Sequence, residues 1–168
     1  MAEFLPAFER MLMNEGGYRL TKVSGDNGGW TYAGISRRSW PDWPGWDDID
    51  SGRVPDATMV RGFYRANFWM PLSLDDVANQ RIAQTLFDFA VNAGTATAAK
   101  LAQLVLGTTP DGKVGPKTVA AMNAANPDMF VPMYALAKIA RYRDIVTRDR
   151  SQSKFLLGWI NRTLKEAA

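Results

Sequence analysis

Apolar residues in this chain recur at helical spacing almost everywhere, and one stretch breaks that rhythm. Phe4, Leu5, Phe8, Met11 and Leu12 predict an amphipathic helix over 3–15, with Gly16 and Gly17 as its stop signal. From Arg19 to Ile35 the texture changes. Thr, Val, Trp and Tyr flank Ser24-Gly25-Asp26-Asn27-Gly28-Gly29, the composition of a small twisted hairpin with a long turn. Trp40, Trp43 and Trp46 then stand among Pro41, Pro44, Pro55 and several Asp, so 40–56 reads as an ordered loop. Asp56 caps a helix running to about Phe68, and further helices fit 81–93, 95–106, 116–125, 128–148 and 154–164. The expected fold is mainly α with one small β-hairpin.

A chain of 168 residues, 46% of them hydrophobic, suffices for one domain, or one with a small helical appendage. No repeat or low-complexity tract interrupts it. Gly107-Thr-Thr-Pro-Asp-Gly112 marks a seam between a lobe at 1–106 and a helical lobe at 107–168, although one compact domain is also open. No apolar run approaches the roughly 18 to 20 residues of a membrane span, and acidic residues stand where a signal peptide is basic. The expectation is a soluble monomer without an export signal, made in the cytoplasm and not inserted in membranes.

The chain has no cysteine and no histidine. Disulfides, Ser/His/Asp triads, Cys/His pairs and imidazole zinc sites are therefore excluded, and stability must come from packing. Carboxylates are the leading acid–base groups left, and neither a metal nor a cofactor is expected. The net charge is +3, but between Lys138 and Lys165 eight Lys/Arg face only Asp144 and Asp149. That basic end is either a solvated helix face or an attraction toward an anionic partner. Nucleic acid is disfavoured, because the basic residues form no recognised motif and the Trp cluster lies elsewhere.

Glu15 continues the stripe of Phe8, Met11 and Leu12, which turns its side chain toward the interior. Partial desolvation and the negative end of the helix dipole both push a carboxyl there toward the proton-holding form of a general acid. A surface Glu at a frayed helix end is the alternative. Asp26, in a polar glycine-rich turn, is expected to stay ionised, or else serves only as an Asx-turn residue. Two carboxyls in contrasting environments are what glycoside hydrolysis needs: one gives a proton to the leaving oxygen, and one orients water or stabilises the oxocarbenium ion. Thr31, five residues beyond Asp26, is placed to hold the attacking water, or is an ordinary strand threonine.

Asn14-Glu15-Gly16-Gly17-Tyr18 and Asp26-Asn27-Gly28-Gly29-Trp30-Thr31-Tyr32-Ala33-Gly34-Ile35 resemble the signatures of the glycoside hydrolase 108 muramidases, a family that includes bacteriophage endolysins and secretion-activating proteins. The likeness continues through 63–71, 86–94, 109–118 and 155–162, nearly the whole chain. Asn27 stands where the family usually has Pro, and Trp30-Thr31-Tyr32-Ala33 departs from its commoner Glu-Thr-Asn-Tyr. The resemblance implies a lysozyme-like α+β fold, Glu15 as catalytic acid with Asp26 and Thr31 completing the site, and a C-terminal peptidoglycan-binding segment.

Flat indoles cover the apolar faces of pyranose rings, so Trp30, Trp40, Trp43, Trp46 and Trp69 are sugar-binding candidates, with core packing as the alternative for each. Trp30 is best placed, near Asp26. Gln84, Asp88 and Asn92 lie four apart on one helix face, either as a hydrogen-bonding floor for glycan or as solvated and capping residues. Tyr18 lines the cleft or packs the hairpin. The expected activity is lysozyme-type hydrolysis of the β-1,4 bond between N-acetylmuramic acid and N-acetylglucosamine in bacterial peptidoglycan, as a bacteriolytic, antimicrobial endolysin would perform it at the cell wall. A lytic transglycosylase and a non-catalytic wall-binding or secretion-accessory protein are the rival readings.

Overall fold

The computed structural model describes residues 1–14, 16–22 and 29–167. Helix α1 (Phe4–Asn14) is followed by strands β1 (Leu20–Lys22), β2 (Trp30–Tyr32) and β3 (Ile35–Ser36), and then by helices α2 (Gly45–Asp50), α3 (Ala57–Tyr64) and α4 (Gln80–Ala93). Helices α5 (Thr95–Val105), α6 (Pro116–Ala124), α7 (Pro127–Arg148) and α8 (Ser153–Ala167) complete the order. The architecture is α+β, mostly helical with one small antiparallel sheet, as the sequence pattern predicts.

Three details correct that pattern. The tryptophan-rich 40–56 segment is not only loop: α2 forms inside it, with Asp47 and Asp48 in its first turn, where the positive end of the helix dipole favours acids. The expected single hairpin is a three-stranded sheet of order β1-β2-β3, because Ala33 and Gly34 take left-handed backbone conformations that turn the chain back on β2. The register pairs Thr21 with Thr31 and Thr31 with Ser36. Helix α3 also ends earlier than expected, at Tyr64, and passes into a π-helical turn, Arg65–Trp69.

The core is one contiguous cluster. Phe8 and Met11 of α1 pack with Tyr64, Trp69 and Phe87, and the same cluster extends through Ala98, Met122, Phe130 and Tyr134 to Tyr142. Helix α4 runs through its middle, with Ile82, Ala83, Leu86, Phe87 and Ala90 fully buried. Caps fix its start: the Asn79 carboxamide accepts from the backbone N–H groups of Arg81 and Ile82.

A charged group sits inside this core. Lys138 of α7 is 1% exposed, and its ammonium donates to Glu166 of α8 at 2.7 Å and to the Thr85 hydroxyl of α4 at 3.2 Å. It also lies 5.1 Å from the Tyr134 ring centroid and 5.3 Å from that of Phe89. The basic end read from sequence thus divides: Lys138 is an internal tie, and its outer neighbours are surface charges.

Removing one partner of a desolvated pair strands the other charge, whereas replacing both with apolar groups removes the need for solvation. Glu166→Gln is therefore expected to lower stability by about 3 kcal/mol, seen as a reduced urea midpoint. Lys138→Met combined with Glu166→Leu should recover most of that loss.

Candidate functional site

Position 15 follows Asn14, the last residue of α1, and both flanks of it are tethered. The Asn14 side-chain oxygen accepts from Lys165 of α8 at 3.5 Å. On the other flank, Gly17 N–H donates to the Leu12 carbonyl at 2.9 Å. Gly16 and Gly17 both hold positive φ, 89° and 77°, so the chain leaves the helix through a turn that side chains with a Cβ strongly disfavour. Arg19 then accepts from Ala33 N–H at 3.2 Å, which draws β2 toward the end of α1.

Thr31 stands at the centre of β2, half-buried. Strand side chains alternate faces, so Thr31 points opposite to Trp30 and Tyr32. Tyr32 is buried against the core, and Thr31 therefore occupies the outward face. Tyr18 and Trp30 are both exposed, Trp30 with the Lys22 ammonium 5.6 Å from its ring centroid. Glu15 and Asp26 lie outside the described residues.

Asp88 and Asn92 share one face of α4, and the structure sets that face against the end of α1. Both line a small cavity with Met11, Asn14, Arg162 and Glu166. The Asn92 side chain donates to the Asp88 carbonyl at 2.7 Å and accepts from the Arg162 guanidinium of α8. An adjoining cavity of about 190 Å³ is lined by Arg10, Arg81, Gln84, Thr85, Asp88 and Glu166, with Val131. The solvated alternative for Asp88 fails, since it is 3% exposed and its Oδ1 has no hydrogen-bond partner among the described residues. Burial is the largest cause that pushes its carboxyl up to about 7, and the Glu166 charge adds to it, against lowering by Arg10, Lys138 and Arg162.

Trp43 does not join this group. It is 7% exposed and stacks on Tyr32 at 6.0 Å between centroids, on the side of the sheet away from Thr31. Trp46 and Trp69 are core residues, each with its indole N–H bonded, to the Trp40 carbonyl and to Asp75. Arg10, Arg162 and Glu166 line these cavities without having been assigned a site role from sequence, and Lys138, read there only as part of the basic end, binds Glu166. One signal for Lys138 was present: it lies four residues from both Tyr134 and Tyr142, a cation on an aromatic stripe. For Arg162 and Glu166 only the docking of α8 supplies the connection.

The glycosyl hydrolase 108 family model matches residues 8–94, the segment that carries α1, the sheet and α4. The chain belongs to the glycosyl hydrolase 108 family. A second model, described as a predicted peptidoglycan domain, matches residues 97–164. The solved structure of SagA from Brucella abortus is similar at 27% identity, with a TM-score of 0.76, over 98% of this chain and 91% of that one. No curated protein matches. This glycosyl hydrolase is accordingly a lysozyme-like enzyme that acts on peptidoglycan. Among the described residues no helix is long and apolar enough to cross a membrane.

An acid whose carboxyl is raised in the folded state holds its proton more tightly there than in the unfolded chain. Stability is then lost as pH climbs from about 4 to about 7, because over that window the unfolded chain releases the proton and solvates the charge while the folded form still holds the proton. Asp88→Asn stays uncharged. It is expected to exceed the parent protein in stability at pH 8, by at most about 4 kcal/mol, and to gain little at pH 4. Urea midpoints at the two pH values check this, and an equal gap at both would refute it.

Proposed function

We propose that this hydrolase cleaves the β-1,4 bond between N-acetylmuramic acid and N-acetylglucosamine, with Glu15 giving a proton to the leaving oxygen. Asp26 assists the attack of water, and Thr31 helps to hold that water. The observation that carries the reading is the convergence at the end of α1: Asn14 is held by α8, the glycine turn follows, and β2 is drawn in by the Ala33 to Arg19 bond. The residue between those fixed points is the one acid of the Glu15-Gly16-Gly17-Tyr18 segment.

The chemistry then follows from charge. A sugar alkoxide is a poor leaving group, so the departing oxygen needs a proton in the transition state, and a general acid near neutrality supplies about 10² to 10⁴ in rate. The oxocarbenium-like centre that forms needs a carboxylate nearby. Histidine and cysteine are absent from the chain, so carboxylates are its natural acid–base pair. The floor formed by Asn92 and Arg162 offers polar groups of the kind that fix a glycan without reacting with it. The two matched segments support a division of labour, with cleavage in the lobe at 1–106 and wall attachment in the lobe at 107–168. The place of action is the cell wall, and the outcome there is lysis.

Glu15→Gln is expected to lower clearing of purified sacculi by at least about 10²-fold while leaving the thermal midpoint nearly unchanged. Mass spectra of the digest should show reducing muramic ends carrying one added water. Anhydromuramic ends in their place would identify a transglycosylase, and wall binding without clearing would remove the hydrolase reading.

A further inference from the structure

The tryptophan cluster left unused by the Thr31 face builds a pocket of its own. A cavity of about 470 Å³, open to solvent, is walled by Trp40, Pro41, Trp43 and Phe63, with Asp42 and Asn67 among its polar groups. That volume falls in the range of small-ligand sites, and apolar walls carrying a few polar groups are the usual composition of one. The walls stand at defined angles: Trp40 meets Phe63 at 89° and 4.9 Å, and Trp43 meets Phe63 at 66° and 6.2 Å.

The pocket is held open by contacts that need no ligand. A Cβ on Gly45 would fall 2.2 Å from the Trp43 ring, so only glycine lets that indole lie on the backbone. Trp46 crosses Trp43 edge-on at 5.3 Å and donates its indole N–H to the Trp40 carbonyl at 2.8 Å. Arg37 lies over Trp46 and binds both carboxylate oxygens of Asp50, at 2.7 and 2.6 Å, which ties α2 to the end of β3. Asn67, in the π-helical turn, gives its amide N–H to the Phe63 carbonyl at 2.8 Å. Its Oδ1 is thereby the atom left to accept from a ligand. Trp40 remains 37% exposed at this opening, a costly place for an indole with nothing to cover.

We propose that this pocket is a second glycan-binding site, behind the sheet and separate from the Thr31 face, that takes one N-acetylated pyranose ring of the wall. Flat indole and phenyl faces match the axial C–H face of such a ring and the methyl of its acetamide, and the Asn67 and Asp42 oxygens match its hydroxyl and amide donors. Preformed walls lower the entropy cost of capture. The choice of a wall sugar rests on the peptidoglycan-acting reading, and the occupant is a ring rather than a long chain. Bound there, one strand of wall anchors the enzyme while another lies across the Thr31 face.

The test uses N-acetylglucosamine as the free monosaccharide, which has no bond between sugars to cleave, titrated into the full chain and followed through the indole N–H signals by NMR. Saturable movement of the Trp40 and Trp43 signals is expected. Trp40→Ala should weaken that binding by roughly fivefold or more, and Asn67→Ala by roughly twofold or more, each in a variant whose NMR spectrum is otherwise that of the folded parent. If Trp40→Ala does not fold, Asn67→Ala decides. Movement confined to other indoles, or full affinity in the folded variants, overturns the proposal, as does a response to tetramethylammonium with none to the sugar. Intact shifts in a protein that fails to clear sacculi would uphold the pocket and sink only the hydrolase reading.

Discussion

The Lys138 ammonium, buried between α4, α7 and α8, is the contact on which the arrangement of the molecule depends. It meets Glu166 and Thr85 and faces two aromatic rings, so its charge is satisfied only when α8 is docked. A buried pair of this kind adds little net stability, since desolvation offsets most of the attraction, but it penalises any other placement of α8. Glu166 also faces Asp88, whose carboxyl the burial and that neighbouring charge raise toward neutrality. Two acids and one ammonium thus share one low-dielectric volume, with Arg10 and Arg162 at its edges.

That docking reaches the end of the first helix. Once Glu166 is fixed, Arg162 and Lys165 on the same helix face meet Asn92 and Asn14. The segment matched by the peptidoglycan domain model therefore supplies part of the polar surroundings of the segment matched by the hydrolase model. On the far side of the sheet, β2 has a second use: Tyr32 carries Trp43, and through it the aromatic box, while Thr31 faces the other way. Strand alternation separates two surfaces with a single-residue step.

Much of this was legible in the residues. Helical spacing placed α1, α4, α5, α6, α7 and α8 within a few residues of their ends, because each buries one apolar stripe and is closed by Gly, Pro, Asn or Asp signals. The tryptophan segment misled, since its prolines bracket rather than interrupt the short α2. Four-residue spacing puts Asp88 and Asn92 on one helix face, but what that face meets, the end of α1 and helix α8, and the burial of Asp88 with it, depend on elements that arrive from far along the chain. Trp43 was placed with the sugar-facing residues on composition alone, and nothing local shows on which side of a strand a distant indole will stack.

The sequence by itself determined the mainly helical class, the small sheet, the absence of histidine and cysteine that leaves carboxylates as the leading acid–base groups, and the family likeness carried by Glu15-Gly16-Gly17-Tyr18. These depend on local spacing, on residue types present or absent, and on contiguous motifs. Only tertiary structure decided that Lys138 is an internal tie, that Arg162 and Glu166 complete the polar floor, and that Gly45 and Tyr32 hold Trp43 in an open aromatic pocket. Those facts arise where elements far apart in the chain exclude water together, and desolvation is a property of the assembled surface that no single segment encodes.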